Sequence, residues 1–442
     1  MALTGMQIYK DLPRTNCKEC GFPTCMAFAM QVAAGQKALT DCPEISSDAM
    51  SNLSEASAPP MKLVKIGTGD TAFELGQETV LFRHDEKFHR PCGLAIRIPA
   101  SLSDDEASSK IEAVNALNFQ RVGATLEPKL CAVEIEGSFD AAARAKLVAE
   151  KSNKAIILMG SDAAKMEAAA EAIKDKAPLL YSADASNIDA FAKIAASTKV
   201  PLAVTGANLE ELAELIEKAK KAGAENLLLG FKNDKIGDSV RMLTRVRRAA
   251  LKHKFRPLGY PTILDIQASD VEEETVMSAI SAAKYAGIVI IDSIEPWSML
   301  PILTIVQDVF TDPQVPNTVE AKLYEINDPD KNSPVMFTSN FSLTYFSVAG
   351  EVERSKVPTY ICVVDTEGLG VLNAWAGDKI TAEKIVATMK DQGVADKVDH
   401  RKLIIPGLLP MFRAEIEDIS EWKEVIIGPE TAKEIPVFLT SL

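Results

Sequence analysis

The sequence predicts an α/β protein in three parts: a small cysteine-rich N-terminal domain (residues 1–58), a central (β/α)8 TIM-type barrel (59–318) and a C-terminal Rossmann-like α/β domain (319–442). Three observations carry that prediction. Four of the seven cysteines crowd the first 42 residues; eight apolar, β-branched runs alternate with amphipathic stretches through the middle; and a differently spaced set of such runs follows a Pro- and Asp-rich segment.

At 442 residues the chain is expected to hold about two to four domains and to bury sizeable cores. Its composition, 47% hydrophobic and 25% charged, is ordinary for a globular protein, and no apolar run approaches the roughly 20 residues that cross a bilayer. Net charge is −14, with 62 acidic against 48 basic residues, which argues against nucleic acid and anionic membranes as partners. A cytoplasmic protein is the simplest expectation.

The N-terminal domain is read from Cys17, Cys20, Cys25 and Cys42, spaced C-x2-C-x4-C-x16-C. Crowded thiolates repel unless a cation lies between them, so four soft sulfur ligands imply an iron–sulfur cluster or a structural zinc ion. Zinc sites usually pair two C-x2-4-C knuckles about 12–20 residues apart. Here one knuckle is followed by a third cysteine on the same Gly/Pro loop and by a remote Cys42 with Pro43 behind it, the ligand habit of a [4Fe-4S] cluster. Residues 23–34 read as a helix, with Pro23 in its first turn and Cys25 near the positive end of the helix dipole. No signal peptide is recognised and the cysteine total is odd, so disulfides are disfavoured. Cys92, Cys131 and Cys362 are isolated and are expected to be core thiols.

Residues 48–62, small and polar and ending in Pro-Pro before Met61, read as a linker. Residues 64–90 carry no clear period. Strands are then predicted at 94–99, 131–135, 155–159, 178–181, 201–205, 226–230, 261–265 and 287–292, with helices at 104–121, 139–150, 162–176, 187–197, 208–222, 235–254, 270–285 and 297–310. Continuous apolar strands between helices mean a parallel sheet covered on both faces, and eight units favour a closed barrel over an open sheet. The strand ends offer Ser161, Asp162, Thr205, Lys232, Asn233, Asp234, Asp265, Asp292 and Ser293, with no obvious acid–base pair; capping of the next helix is their expected role. The barrel is therefore expected to be a scaffold. His84 and His89 are too loosely spaced to argue for a metal.

Residues 311–334, rich in Pro, Asp and Asn, read as a second linker. Beyond it, strands are predicted at 335–338, 344–348, 359–364, 402–405 and 424–427, and helices at 379–391 and 414–421. Ligands of open α/β sheets bind beyond the carboxyl ends of the strands, which points to the loops 339–346, 365–373, 406–410 and 428–433. Gly368 and Gly370 in the second loop permit close backbone approach, but the pattern is not G-x-G-x-x-G, so a nicotinamide cofactor is disfavoured. Candidate binding residues, chosen by position, are Asn340, Thr344, Phe346, Thr366, Gly368, Gly370, Val371, Leu372, Asn373, Gly407 and Lys433.

Three segments, LTGMQIYKDLPRTNCKECGFPTCMAFAM (3–30), DTEGLGVLNAWAGDKIT (365–381) and PGLLPMFRAEIED (406–418), carry a resemblance that runs through the whole length. The chain resembles the large (gamma) subunit of the corrinoid iron–sulfur proteins of the reductive acetyl-CoA (Wood–Ljungdahl) pathway. That resemblance implies a methyltransferase component, a methyl carrier whose cobamide is held mainly by the C-terminal domain. Its cobalt would accept methyl from methyltetrahydrofolate through a methyltransferase and donate it to acetyl-CoA synthase/CO dehydrogenase. The [4Fe-4S] cluster, fed by a low-potential electron donor, would return Co(II) to Co(I). A homologous small subunit is the implied heterodimer partner. Many corrinoid proteins ligate cobalt through a D-x-H-x-x-G histidine; here Glu367 stands at that spacing after Asp365, and no protein histidine ligand is expected. His400 precedes a strand, at the wrong edge for such a pocket. The two linkers are placed to let the terminal domains swing about the barrel. An electron-transfer iron–sulfur subunit without cobamide, a zinc-stapled scaffold and the archaeal pterin-dependent counterpart of a carbonyl-cleaving complex remain as alternatives.

Overall fold

The computed structural model describes residues 4–33, 36–46, 49–50, 53, 59–231 and 235–442. Two short helices, Gly5–Asp11 and Cys25–Ala33, pack through Ile8, Phe28 and Ala29. Pro23 lies ahead of the second helix and not in its first turn. The Thr24 hydroxyl accepts the Ala27 N–H (3.1 Å) and so starts the helix at Cys25. Most of the first expected linker lies outside the described residues; its end is held to the barrel, where the Arg256 guanidinium donates to Pro59 O (2.8 Å).

The unassigned stretch after residue 62 opens with an antiparallel hairpin, β1 (Leu63–Ile66) and β2 (Phe73–Gly76). Val64, Ile66 and Leu75 on it join the barrel's interior side chains, so the hairpin plugs the N-terminal mouth. The barrel begins with β3 (Gly93–Ile98). A small hairpin, β4 (Phe119–Arg121) with β5 (Ala124–Leu126), follows the helix Asp104–Ala116, where the sequence predicts helix through 121. Then come β6 (Leu130–Glu134), β7 (Ala155–Met159), β8 (Leu179–Ala183), β9 (Leu202–Gly206), β10 (Leu227–Phe231), β11 (Thr262–Asp265) and β12 (Ile288–Ile291). All pair in parallel, and β12 returns to β3 to close the barrel. The eight expected strands are thus all present, one with the expected bounds and seven displaced at an end by one or two residues. Leu94, Ile96 and Ile98 face the outer helices, while Ala95, Leu130, Ile157, Leu179, Ile263 and Ile290 fill the interior as a packed core. Cys92, Cys131 and Cys362 are buried, as expected, and burial pushes the Cys92 and Cys362 thiols up to about 12.

The C-terminal sheet runs β13 (Leu323–Ile326), β15 (Thr359–Val364), β14 (Val335–Ser339), β16 (Lys402–Ile405), β17 (Glu424–Ile427). Only β13 is antiparallel. Two expectations fail here. The second linker contains β13, paired from Leu323↔Cys362 to Ile326↔Thr359. Residues 344–348 are not a strand but part of the helix Ser342–Ser355, whose buried side is Tyr345, Val348, Ala349 and Val352. A short apolar run rich in β-branched and aromatic residues fits either state, and the i, i+3, i+4, i+7 spacing that decides it extends beyond the run. The helices Ala382–Asp391 and Phe412–Ile419 are close to expectation, and a last helix, Ile435–Thr440, carried no prediction.

Candidate cofactor sites

The cysteine loop has an unusual backbone. Arg14, Asn16, Lys18 and Gly21 all take positive φ (59°, 50°, 69° and 82°). Left-handed residues of this kind are a feature of the backbone concavities that anionic clusters occupy. Asn16 Oδ1 accepts the Cys25 N–H (2.8 Å) and ties the loop to the second helix. Cys25 and Cys42 are buried, Cys20 is half-buried and Cys17 is exposed. Cys20, Cys25 and Cys42 share one apolar cluster with Ile8, Leu12 and Phe28. Burial pushes the Cys42 thiol up; the Glu44 backbone pulls it back, and charge on Cys20, Cys25 and Cys17 raises it further. Cys42 therefore lies within electrostatic reach of the other three thiols. All seven thiols are free, and among the described residues no three Cys, His, Asp or Glu side chains are gathered tightly enough to hold a metal. The donor set and its loop of positive-φ residues nonetheless suit a thiolate-held cluster.

The second site lies in the C-terminal domain. Leaving β13 aside, the strands run second, first, third, fourth in chain order, which puts the topological switch point between β14 and β16. Ligands of doubly wound sheets bind there. A cavity of about 500 Å³ opens at that point, floored by Met336, Thr338, Ile404 and Ile405 and walled by Leu343, Thr344, Ser347 and Val348 from the helix Ser342–Ser355. Gly370, Val371, Leu372 and Asn373 close a second side, and Pro406, Leu408, Gly428, Pro429, Glu430, Ala432 and Ile435 a third. Leu343 and Leu372 are half exposed at the mouth.

Of the candidate residues, Thr344, Gly370, Val371, Leu372 and Asn373 line this cavity. Asn340 and Thr366 instead build its frame. Asn340 Oδ1 accepts from Thr366 N (3.0 Å) and Gly368 N (3.0 Å), and its Nδ2 donates to Asp365 (2.8 Å), fixing the loop after β15. Gly368 has φ +77°, and a Cβ there would meet Pro316 at 2.6 Å. Gly407 lets two loops touch, since a Cβ would stand 2.5 Å from Gly428 O and 2.7 Å from Glu430 N. Phe346 points elsewhere: its ring lies against Gly123 of the β4–β5 hairpin, at the joint with the barrel. Lys433 is exposed on the turn Ala432–Glu434. Glu367, at the histidine position of other corrinoid proteins, pairs with Lys379 (2.7 Å). The lining residues Thr338, on the floor, and Ser347, on the wall, escaped the sequence reading. Once 342–355 is read as helix, residues 343, 344, 347 and 348 fall on one face.

Does this cavity suit a corrinoid? Its mainly apolar walls fit an organic ring, and the buried Thr338 hydroxyl has no partner among the described residues. The fit is to one arm of such a cofactor, since the space is much smaller than a whole corrinoid.

The C-terminal mouth of the barrel is differently occupied. Arg97 on β3 donates to Asp265, to Asp292 (2.6 Å) and, more weakly, to Glu134 (3.4 Å). Burial alone would lower the Arg97 guanidinium, but Asp265 and Asp292 outweigh it and hold it charged; burial pushes the Asp265 carboxyl up, with Arg97 pulling it back. Capping, expected at each strand end, holds for Asp162, which accepts from Ala164 N and Lys165 N. Asp265 and Asp292 serve the ion pair instead. Lys232, Asn233 and Asp234 lie outside the described residues.

Comparison with known proteins covers nearly the whole chain. The family model for the CO dehydrogenase/acetyl-CoA synthase delta subunit matches residues 63–439, and an Fe-S cluster family model matches residues 12–44. The "Corrinoid/iron-sulfur protein large subunit" of Moorella thermoacetica is 42% identical over 440 residues, covering 99% of this chain and 98% of that protein. The "Acetyl-CoA decarbonylase/synthase complex subunit gamma" of Methanopyrus kandleri is 34% identical, over 99% of this chain and 97% of its own. That of Methanothermobacter thermautotrophicus is 32% identical, over 100% and 99%. With a cysteine module at one end, a TIM-type barrel between and a switch-point cavity at the other, the chain belongs to the corrinoid/iron-sulfur protein large-subunit family.

Proposed function

We propose that this chain is the cobamide- and cluster-bearing subunit of a methyl carrier in the acetyl-CoA pathway, a methyltransferase component whose catalysis is shared with partner proteins. The observation that carries the reading is the apolar switch-point cavity with an unsatisfied hydroxyl, in a chain that also has a four-cysteine loop. When bound, the cobamide supplies a cobalt that takes up and gives away a methyl group, and a [4Fe-4S] cluster supplies the electron that restores its reactive state.

The chain's own residues do the rest. Cys17, Cys20, Cys25 and Cys42 hold the cluster through their thiolates. Thr344, Gly370, Val371, Leu372 and Asn373 enclose one arm of the cobamide, over the frame made by Asn340, Thr366, Gly368 and Gly407. Leu343 and Leu372, half exposed at the mouth, give its macrocycle an apolar seat. The proposed partners are a homologous small subunit, a methyltetrahydrofolate methyltransferase, acetyl-CoA synthase/CO dehydrogenase and a low-potential electron donor. No described helix is long and apolar enough to cross a membrane, and the cytoplasm is the proposed compartment.

Anaerobic purification with the small subunit, followed by metal analysis and absorption spectroscopy, tests this. About four iron and one cobalt per chain are expected, with corrinoid bands that shift when the reduced protein meets methyl iodide. Iron without cobalt would leave an electron-transfer subunit, and zinc alone would sink both readings.

No protein ligand to cobalt is expected from His400. It sits at the amino edge of β16, where Nε2 lies 3.0 Å from Ser333 O and Nδ1 accepts the Lys402 N–H (3.2 Å). The cavity is at the opposite, carboxyl edge. His400→Ala should leave the cobalt electron paramagnetic resonance spectrum unchanged; altered hyperfine structure would overturn the assignment.

A further inference from the structure

One outer helix of the barrel is strongly basic. Residues 236–256 carry seven arginines and lysines against a single acid, Asp238, in a chain whose net charge is −14. In the helix Ile236–Leu251 and the Lys252 that caps it, Arg241, Arg245, Arg248 and Lys252 stand at i, i+4, i+7 and i+11, which puts them on one face. All four are exposed. Arg241 pairs with Asp238; among the described residues no carboxylate pairs with Arg245, Arg248 or Lys252. The helix dipole favours Arg248 and Lys252 at the last turn, but Arg245 lies outside it, and like charges three and four residues apart oppose helix formation. Stability therefore does not account for the stripe. It ends where the chain enters the barrel from the cysteine module: Arg256 donates to Pro59 O (2.8 Å) and the Lys62 N–H to Gly259 O (2.9 Å). Leu53 still belongs to the module's apolar cluster. A chain covers at most about 3.6 Å per residue, so the six steps from Leu53 to Pro59 keep the module within about 22 Å of this end of the stripe, wherever it turns.

We propose that the face made by Arg241, Arg245, Arg248 and Lys252 docks the electron carrier that reduces the cluster, a small protein with an acidic surface. The inference rests on the methyl-carrier reading above, which requires a low-potential donor. Carriers that hold iron on thiolates are themselves anionic. Most of a −14 surface repels such a protein, and this helix, of opposite sign, attracts it. The flanking helices are acidic, Leu209–Lys221 with Glu210, Glu211 and Glu214 and Val271–Ala283 with Glu272 and Glu273. They confine the site to a narrow acidic patch on a protein and oppose a long polyanion or an anionic membrane. Four cations along roughly 16 Å of helix suit the small, transient contacts of redox encounters. Such contacts steer the approach more than they add affinity, so the carrier leaves once it has given its electron. The carrier is oxidised by one electron and the cluster reduced by one, with no bond made or broken. Docked beside Pro59, the carrier stays within reach of the module at a raised local concentration.

The test uses the full chain with its partner subunit and cofactors, kept anaerobic, and a reduced, acidic two-cluster ferredoxin as the probe. Carbodiimide coupling, which joins a carboxylate to a lysine in contact, reads binding; cobalt reduction, followed by corrinoid absorption in stopped flow, reads the rate. Lys252 and Lys254 are expected among the coupled residues. The second-order rate should fall about tenfold between about 20 and 300 mM salt. Arg245→Glu/Arg248→Glu/Lys252→Glu should lower the low-salt rate by about tenfold or more and abolish coupling at this face. The corresponding Gln triple, which adds no acid, should fall between that variant and wild type. Lys146→Glu/Lys193→Glu/Lys199→Glu makes the same change in net charge at exposed residues on or beside other outer helices and should leave the rate within about twofold. All variants should melt at the wild-type temperature, and titanium(III) citrate, which needs no docking surface, should reduce them equally. Equal rates in wild type and the stripe variant, or an equal loss in the two Glu variants, overturn the inference and leave the methyl-carrier reading intact. So does loss of the partner subunit from the stripe variant, which would assign this face to that subunit. A wild-type protein whose iron titanium(III) citrate cannot reduce overturns the cluster reading as well.

Discussion

Cys25→Ser is expected to lower bound iron from about four to less than one per chain and to unfold the N-terminal module while the other two domains stand. Cys25 is 6% exposed and begins the second helix, its N–H held by Asn16, so no neighbouring thiol can replace it. The module's described core is little more than Ile8, Leu12, Phe28 and Ala29 around the cysteines. Units of about 40 residues seldom fold without a metal, a disulfide or a partner, and metal binding then supplies the folding free energy. The loop adds a cost of its own. Arg14, Asn16 and Lys18, none of them glycine, are held at positive φ, at about 1 kcal/mol or more each. Hydrogen exchange should show residues 4–46 unprotected in the variant and the barrel protected as before, with cobamide binding retained. A Cys25→Ser protein that keeps its iron and its protection would remove Cys25 from the ligand set.

The barrel was legible because its strands are buried on both faces. AIILM at 155–159 and LLLGF at 227–231 need no partner to be recognised, and the helices between them are long enough to show their period. What escaped was whatever depends on contacts distant in sequence. β1 and β2 look like short irregular stretches until the barrel mouth they plug is known, and β13 is a strand only because Cys362 and Thr359 stand opposite it. Ser342–Ser355 failed for a different reason: its apolar, partly β-branched start satisfies a strand and a helix equally, and local propensity was overruled by packing.

The same limit governs the site. Strand-end loops were enough to place the cavity, because the rule that ligands sit beyond carboxyl ends needs only the order of elements. Individual side chains were another matter. Asn340 and Phe346 both fall in the 339–346 segment that was singled out, yet one clamps the backbone under the site and the other leans on Gly123 of the barrel. Direction along a helix separates Thr344 and Ser347, which face the cavity, from Phe346, which does not, and direction is invisible while the segment is read as a strand. Thr338 lay one residue inside a strand, where sequence offers no reason to prefer it over its neighbours. Only its missing partner marks it.

Arg97→Met is expected to destabilise the barrel by about 3 kcal/mol, at the lower end of the range for stranding a buried charge. Its guanidinium side chain is 10% exposed and holds Asp265, which is 20% exposed, together with Asp292 and Glu134. Asp292 is well solvated and will recover part of its hydration, which is why the upper end is not expected. For a barrel of this size the melting midpoint should fall by roughly 6–12 °C. The deficit should depend on pH, and its sign follows from Asp265. Burial already raises that carboxyl above its ordinary value, and without Arg97 only the Gln267 hydrogen bond opposes the rise. A carboxyl whose folded pKa is raised adds stability at acid pH and loses it as pH climbs through the folded value. The gap between variant and wild type should therefore be small near pH 4 and widen toward neutrality. A companion Asp265→Leu change, which removes the stranded charge, should restore much of the loss. Cobamide content and methyl transfer, measured at a temperature where the variant is folded, should not change. Among the described residues the centre of the barrel mouth is filled by the ion pairs of Arg97 with Asp265, Asp292 and Glu134, which is why the variant is expected to spare the chemistry of the two cofactor sites. Loss of methyl transfer in a folded, cobamide-loaded Arg97→Met protein would instead place the mouth within the reaction.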